Sequence, residues 1–105
     1  MSDDHFKLYL AVFLIIKNSD GKILFERRSN TSYMDGKIQP PAGHLDGGEA
    51  ASVAAAREAS EELGISINPR DLKLTHTEHK PSSKQDSKEY INLFFEVLKF
   101  SGGRY

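Results

Sequence analysis

The sequence predicts a mixed α/β (α+β) fold, and three features of its 105 residues support this interpretation. An apolar, β-branched segment lies near the start, one alanine-rich helical segment lies in the middle, and two strand-like segments follow it. Strands on both sides of a single helix favour a helix packed on a sheet over a helical bundle or an all-β sandwich. The length allows one domain, 1–105, with one modest core.

In the first part of the chain, the continuous apolar run 8–16 predicts a strand that is buried on both faces. Residues 18–21 carry the polar and glycine signals of a turn, so we expect 23–25 to form a second strand in a hairpin with the first. The polar stretch 27–35 predicts a loop. Ile38 and Gln39 predict a short strand that ends at Pro40 and Pro41.

Residues 49–63 carry the strongest helix signal, with six alanines, no proline and Gly64 at the position of a terminating glycine. At about 100° per residue, the carboxylates of Glu58, Glu61 and Glu62 fall within an arc of about 100° on one face. We expect the opposite face to pack on the core, and its members are Val53, Ala56, Ser60 and Leu63.

After the helix, residues 72–79 and 90–100 predict two strands, which a flexible polar loop at 80–88 connects. His76 and Glu78 share one face of the first of these strands, because side chains alternate along a strand. An ordinary exposed strand explains this pair better than a second metal site does.

The composition narrows the class of protein. Lysine and arginine number 14 and aspartate and glutamate 15, a formal net charge of −1, which disfavours a nucleic-acid polymer as the partner. The absence of cysteine excludes disulfides and thiolate metal sites. The polar start is unlike a signal peptide, and the apolar run is about half of a membrane span. We therefore expect a cytoplasmic protein without a membrane partner.

The acidic helix face has two interpretations. It is either a solvated surface or a site for a hard cation such as Mg²⁺, which prefers carboxylate oxygens and is completed by substrate phosphates. A glycine-rich loop at 43–49 leads into the helix, and glycine lets the backbone approach a metal or a phosphate closely. Arg57 lies one turn before Glu61 and can pair with it. These neighbours favour the cation site.

The spacing of these residues resembles the Nudix box, G-x5-E-x7-R-E-U-x-E-E-x-G-U, in which U is a bulky aliphatic residue. All seven fixed positions match over residues 43–65: Gly43, Glu49, Arg57, Glu58, Glu61, Glu62 and Gly64. The one departure is Ala59, which is smaller than the usual aliphatic residue and so concerns local packing rather than chemistry. The chain is therefore identified as a member of the Nudix family by this motif.

The resemblance implies an α/β/α sandwich around a mixed sheet, with hydrolysis of a nucleoside diphosphate linked to another group and a divalent cation, Mg²⁺ or Mn²⁺. It implies that Glu61 and Glu62 are metal ligands, and that Glu58 is a ligand or the base that activates water. Arg57 would orient the carboxylates by ion pairing, and the backbone carbonyl at Gly43 would face the metal. In this family Glu49 and Gly64 maintain the loop structure.

The identity of the general base stays open. It is one of the box glutamates or a carboxylate outside the box, for which the candidates are Asp86, Glu89 and Glu96. Surface charge is the simpler explanation for each of these three. Arg27 and Arg28 are candidates for phosphate contacts, although a solvated pair in a loop explains them equally well.

The nucleotide base has three candidate stacking partners, Tyr33, Phe25 and Phe94. Core packing is the default expectation for the two phenylalanines. The substrate is open between a non-standard or oxidised nucleoside triphosphate, which the small size favours, and ADP-ribose or a nucleotide sugar. A non-catalytic nucleotide-binding module or a truncated fragment is the rival class, but such a module would be free to lose the glutamates that are all present here.

Relative to the family, the chain ends early, so we expect the fold to lack the second helix that normally covers the other sheet face. That absence would leave Leu93 and Phe95 uncovered, and an exposed apolar patch favours association. Either the chain is a trimmed piece of the protein, or it completes this layer by association, for which a homodimer is the candidate.

Overall fold

The computed structural model describes residues 5–27 and 38–103 and confirms the mixed α+β class. In chain order its elements are β1 (Tyr9–Ile15), β2 (Glu26–Arg27), β3 (Ile38–Gln39), β4 (Ala42–His44), α1 (Ala51–Leu63), β5 (Ile65–Ser66), a 3₁₀ helix (Pro69–Asp71), β6 (Leu72–Lys80), β7 (Tyr90–Val97) and β8 (Ser101–Gly102).

The main sheet has four strands in the order β4-β1-β7-β6. Strand β1 runs parallel to β7 and antiparallel to β4, and β6 runs antiparallel to β7, so the sheet is mixed as predicted. Two small antiparallel pairs, β2 with β3 and β5 with β8, lie outside it. The sheet therefore places the start of the box, on β4, at an edge beside β1.

The hydrophobic core lies between this sheet and α1, where Val12 and Leu14 of β1 meet the buried alanines of the helix. The predicted core face of α1 is right for Ala56 and Leu63, which pack against the core, and wrong for Val53 and Ser60. The buried residues are Ala54, Ala55 and Ala59, while Val53 is 43% exposed and Ser60 is exposed. Small alanines let the helix approach the sheet closely, so part of its carboxylate side faces the protein.

The prediction that the first strand is buried on both faces is also wrong. Val12 and Leu14 are each 1% exposed on the helix side, but Tyr9 is 51% exposed and Phe13 and Ile15 are only half-buried on the other side. Among the described residues no helix covers that second face, which explains the difference. Phe95, expected to be uncovered, is 6% exposed within the core, and Leu93 packs against that core.

The turn after β1 is confirmed, with Asn18 Oδ1 accepting hydrogen bonds from the backbone N–H groups of Asp20 and Lys22. The expected hairpin strand at 23–25 is reduced to one bridge between Lys17 and Ile23, and the regular pairing begins at β2.

Helix α1 starts two residues later than predicted and ends where predicted. Ala50 is extended, with φ −68° and ψ 151°, so the helix begins at Ala51. Gly64 has a left-handed φ of 69°, and its N–H donates to the carbonyl of Ser60, which closes the last turn. No helix in the described ranges, 5–27 and 38–103, has the length and apolar character needed to cross a bilayer.

Candidate metal and nucleotide site

The box residues come together because α1 packs against β4 as well as β1. Gly43, in the middle of β4, lies directly beneath Glu58 of the helix, and a Cβ atom at position 43 would overlap the carboxyl group of Glu58. A side chain at position 43 would therefore displace the Glu58 carboxyl group, so glycine here allows a close approach and does not serve a special backbone conformation. The Glu58 side chain is only 16% exposed, held between the strand and the helix.

Arg57 is the centre of a network of carboxylates. Its Nη2 atom lies 2.7 Å from Glu49 Oε1, and its Nη1 atom donates to Glu58 Oε1 and Glu61 Oε1 at 3.2 Å each. The hydrogen bond to Glu49 is the largest cause that raises the pKa of Arg57 above its ordinary value. Because Ala50 supplies no side-chain cap to α1, this pairing ties the preceding loop to the helix in its place.

Glu62 carries the clearest electrostatic signature of the site. Burial, followed by the neighbouring charges of Glu26, Glu58 and Glu61, raises the pKa of Glu62 to about 7. The other three box carboxylates, Glu49, Glu58 and Glu61, have Arg57 as a partner, whereas among the described contacts no cation pairs with Glu62. The cluster consequently contains a carboxylate whose negative charge is uncompensated.

This donor set fits a hard divalent cation in its chemistry. All its side-chain donors are carboxylate oxygens, the ligands that Mg²⁺ prefers, and Glu62 has an unmet demand for positive charge. Within the described ranges no three acidic or histidine side chains already stand in ligand geometry. The side chains of Glu61, which is 57% exposed, and Glu62 have the freedom to turn toward a cation.

The structure describes the other predicted residues only in part. Arg27 belongs to β2, where its backbone pairs with Ile38, while Arg28 and Tyr33 lie outside the described residues. Two of the three alternative bases are in ion pairs, Asp86 with Lys80 and Glu96 with Lys17, and Glu89 Oε2 lies 2.6 Å from Nε2 of His79. Their role as the base stays a prediction.

The aromatic residues differ from expectation. Core packing of the two phenylalanines is wrong, because Phe25 is 52% exposed and Phe94 is half-buried on the face of the sheet opposite to α1. Phe94 stacks there on Phe13, with ring centroids 4.6 Å apart and an angle of 12° between the rings.

Two residues near the site, and one on the opposite face of the sheet, had no clear sequence signal. Glu26 and Asp46 add negative charge to the cluster, Glu26 next to Glu62 and Asp46 3.8 Å from Arg57, but neither belongs to the spaced motif. Asn92 is buried at 6% exposure. Its one signal was a polar residue within an otherwise apolar strand.

A separate cavity of about 290 Å³ lies beside β5, β8 and the 3₁₀ helix and contains none of the predicted site residues. Its lining is formed by Ser66, Asn68, Arg70, Asp71, Lys99, Phe100 and Ser101.

Comparison with known proteins agrees with this geometry. The sequence model of the NUDIX domain matches residues 7–102. The 8-oxo-dGTP diphosphatase of Escherichia coli K12 is 39% identical over 59 residues, which are 56% of this chain and 45% of that protein. The matched segment thus spans less than half of that relative.

Two solved structures illustrate the similarity of the fold. The MutT NUDIX hydrolase from Burkholderia pseudomallei superposes with a TM-score of 0.81 at 23% identity, over 93% of this chain and 72% of that one. A NUDIX hydrolase from Nitrosomonas europaea gives 0.76 at 26% identity, over 93% of this chain and 62% of that one. The first, at this identity, supports the fold alone.

Proposed function

Because the chain belongs to the NUDIX domain family, we propose that it is a Mg²⁺-dependent pyrophosphohydrolase that acts on a nucleoside diphosphate linked to another group. The observation that carries this proposal is the carboxylate cluster of α1, ordered by Arg57 and closed from below by Gly43. A solvated acidic face would need neither the buried Glu58 nor a glycine beneath it.

In the proposed reaction, water adds to one phosphorus of the anhydride and the bridging P–O bond breaks. A bound cation would neutralise the phosphates and lower the pKa of the attacking water. We assign Glu58, Glu61 and Glu62, with the carbonyl of Gly43, to hold it. Arg57 holds Glu58 and Glu61 close to each other through one Nη1 atom, which limits how far the two carboxylates must move to reach a cation.

A carboxylate also removes the proton from the attacking water. Glu62 can serve in this step where it is not itself a ligand, because a cation on its carboxylate would lower the raised pKa that burial and its neighbours give it. Glu58 is the alternative, because it is the most enclosed of the three and is held at a fixed position.

We propose a nucleoside triphosphate as the substrate, with an oxidised or non-standard base. The support is the similarity to an 8-oxo-dGTP diphosphatase over 59 residues. ADP-ribose and nucleotide sugars are the alternatives within the family. We expect a single domain and a cytoplasmic location, and a homodimer stays a prediction that sedimentation can test.

The decisive experiment measures release of nucleoside monophosphate from a panel of nucleotides with Mg²⁺. We expect turnover by the wild type and a loss of about 100-fold or more in the variant Glu61→Gln/Glu62→Gln. Asp20→Asn, a carboxylate-to-amide change in the exposed turn after β1, is the control.

Undiminished turnover by the double variant would exclude the metal-ligand assignment. Thermal stabilisation by nucleotides without any product would indicate a binding module, and the panel itself separates triphosphates from ADP-ribose and nucleotide sugars.

A further inference from the structure

Strand β6 is an exposed edge of the main sheet. It is the last strand in the order β4-β1-β7-β6, and its residues 73–79 are all exposed. In the described parts of the chain, 5–27 and 38–103, no strand pairs with its outer side. The outward N–H and C=O groups of such an edge are a template for another strand. Lys73 and a β-bulge between Leu74 and His76 protect the first half of the edge, so its second half is the part open to pairing.

The hydrogen bonds of the sheet fix which backbone groups of β6 point outward. The N–H of Tyr9 donates to the carbonyl of Glu89 at 2.9 Å, so the odd-numbered residues of β7 bond to β1. The even-numbered residues of β7 therefore bond to β6, through the even-numbered residues opposite them from 76 to 80. Because backbone groups alternate in direction along a strand, Thr77 and His79 direct their N–H and C=O groups away from the sheet.

A second copy of the chain fits this edge in an antiparallel arrangement about a twofold axis. Each contact of such a dimer occurs twice, and opposite residues direct their backbone groups either both outward or both inward. The register centred on Thr77 meets this condition, with Thr77 opposite Thr77 and His76 opposite Glu78. Threonine pairs and pairs of a donor with a carboxylate are favourable neighbours across strands, so this part of β6 is complementary to itself.

Within one chain, His76 and Glu78 do not satisfy each other. Nε2 of His76 lies 3.9 Å from Oε2 of Glu78, which is too long for a hydrogen bond, and the two side chains are 62% and 49% exposed. The buried amide of Asn92 donates to the other oxygen, Oε1, at 3.1 Å and so fixes the carboxylate. An imidazole has an N–H donor in either protonation state, so His76 of one copy can donate to Glu78 of the other.

Two neighbouring registers are disfavoured by charge and by the bulge. Centring the pair on Glu78 would place two carboxylates opposite each other and His76 opposite Lys80. Centring it on His76 would place the bulged segment against Thr77 of the second copy and interrupt the pairing there.

The register centred on His79 is disfavoured because it runs beyond the strand. It relies on Lys80, whose Nζ atom already lies 3.5 Å from Asp86 Oδ2. It also places Thr77 opposite Pro81, which follows the end of β6 and has no backbone N–H to donate. Of the registers that the backbone allows, the one about Thr77 combines favourable side-chain pairs with a regular edge.

From this edge we propose that the chain forms a reversible homodimer, in which β6 pairs antiparallel with β6 of a second copy about Thr77. The two four-stranded sheets then become one continuous sheet. His76 and Glu78 select the register. The overlap runs only from the bulge to His79, so we expect a dissociation constant on the order of 10–100 µM, weaker than that of a permanent dimer.

Sedimentation equilibrium of the full chain, from about 5 to about 500 µM, covers this range and measures the association. His76→Glu places a carboxylate opposite Glu78 and should weaken the dimer by about tenfold or more. Lys22→Gln lowers the formal charge by the same amount in the exposed turn after β1, and should associate as the wild type does.

A mixture of two variants tests the register itself. Glu78→Lys should also fail to associate, because a lysine then lies opposite His76. Mixed with His76→Glu, it gives a heterodimer with a carboxylate opposite a donor in both pairs, so association should return. The control partner for His76→Glu is Thr77→Pro/Asp20→Lys, which has the same formal charge as Glu78→Lys and no N–H at position 77. This control mixture should stay monomeric.

Thr77→Pro tests the backbone part of the proposal. Proline is tolerated on an edge strand where its missing N–H would have faced solvent. We therefore expect a melting temperature close to that of the wild type, measured by calorimetry, and no association.

A wild type that stays monomeric over the whole concentration range would overturn the proposal. So would a dimer that survives His76→Glu or Thr77→Pro, or an equal effect of His76→Glu and Lys22→Gln. Unfolding of Thr77→Pro would also refute it, because the N–H of Thr77 would then bond within the sheet. If Glu78→Lys does not fold, His76→Glu and Thr77→Pro decide the question.

Discussion

Gly43 and Glu58 show how one missing side chain can position a reactive group. A glycine in a strand normally weakens it, because glycine loses more conformational freedom on folding and has no side chain to pack. In β4 the Glu58 carboxyl group occupies the volume that a Cβ atom at position 43 would fill, so a glycine fits there despite its weaker contribution to the strand. The fixed glycine of the motif thus has a steric reason in addition to its proposed metal contact.

Gly43→Ala should lower kcat by about 100-fold. The added methyl group displaces the Glu58 carboxyl group, and a misplacement of about 1 Å can reduce the rate of an enzyme by this factor. Overpacking of the same contact should also destabilise the fold by about 1–3 kcal/mol. Steady-state kinetics and urea unfolding measure the two effects. Gly21→Ala is the control, since Gly21 has a left-handed φ of 79° with open space around it.

Gly21→Ala should lose stability and keep its turnover, because the strain of an alanine at a left-handed φ is confined to the turn after β1. An unchanged kcat for Gly43→Ala would contradict the steric role of this glycine.

At the scale of the elements, the loop between β6 and β7 is held in place by Asp86. Asp86 Oδ1 accepts from the backbone N–H of Lys88 at 3.0 Å, and Asp86 Oδ2 lies 3.5 Å from Lys80 Nζ. The carbonyl of Asp86 also accepts from the N–H of Ser83 at 2.8 Å. These contacts replace the flexible loop that the sequence predicts at 80–88 with an ordered connection.

Asp86→Asn should therefore lower stability at pH 7, with an effect that depends on pH. The hydrogen bond from the Lys88 backbone is the largest cause that lowers the pKa of Asp86, and Lys80 adds to it. A depressed folded-state pKa stabilises the protein above the unfolded-state pKa of about 3.9, and this contribution disappears as the pH falls through the folded-state value.

Urea unfolding at pH 7 and at pH 3 measures this dependence. The difference in stability between wild type and Asp86→Asn should be larger at pH 7, and a difference that does not change with pH would indicate that the ionised carboxylate has no role. Asp20→Asn should show neither the loss nor its pH dependence.

At the scale of the whole molecule, the site joins segments that are distant in the chain. The sheet brings β4 next to β1 and leaves α1 against both, so Glu58 is enclosed beside Gly43 while Glu61 of the same cluster stays exposed. Burial and the neighbouring carboxylates raise the pKa of Glu62 to about 7, and a cation held by the cluster would relieve this repulsion.

Mg²⁺ at millimolar concentration should consequently raise the melting temperature of the wild type, by mass action on the folded state. A concentration of 100 times Kd would correspond to about 2.7 kcal/mol. Differential scanning calorimetry with and without Mg²⁺ measures the shift. Glu61→Gln/Glu62→Gln should show little shift, and Asp20→Asn should show the full one.

If Mg²⁺ does not raise the melting temperature of the wild type, either alone or with a nucleotide, a solvated acidic face becomes the better explanation of the cluster.

Local patterns in the sequence were sufficient to predict the end of the helix, the grouping of its carboxylates and one of its ion pairs. The end of α1 at Gly64 was predictable because a left-handed glycine terminates a helix through its own backbone. The grouping of Glu58, Glu61 and Glu62 was predictable because helical spacing alone places them on one side. The pairing of Arg57 with Glu61 follows from the same spacing, at four residues.

The tertiary structure decided which side of the helix is buried and what covers each face of the sheet. Ala54, Ala55 and Ala59 are not more apolar than Val53, so only the close approach of α1 to β1 and β4 shows that small residues form the contact. In the same way, strand alternation places Glu78 and His76 together, but only the register of β6 on β7 places Asn92 beside Glu78. Periodicity within one element is a property of neighbouring residues, whereas the partner of an element depends on packing between segments that no local pattern encodes.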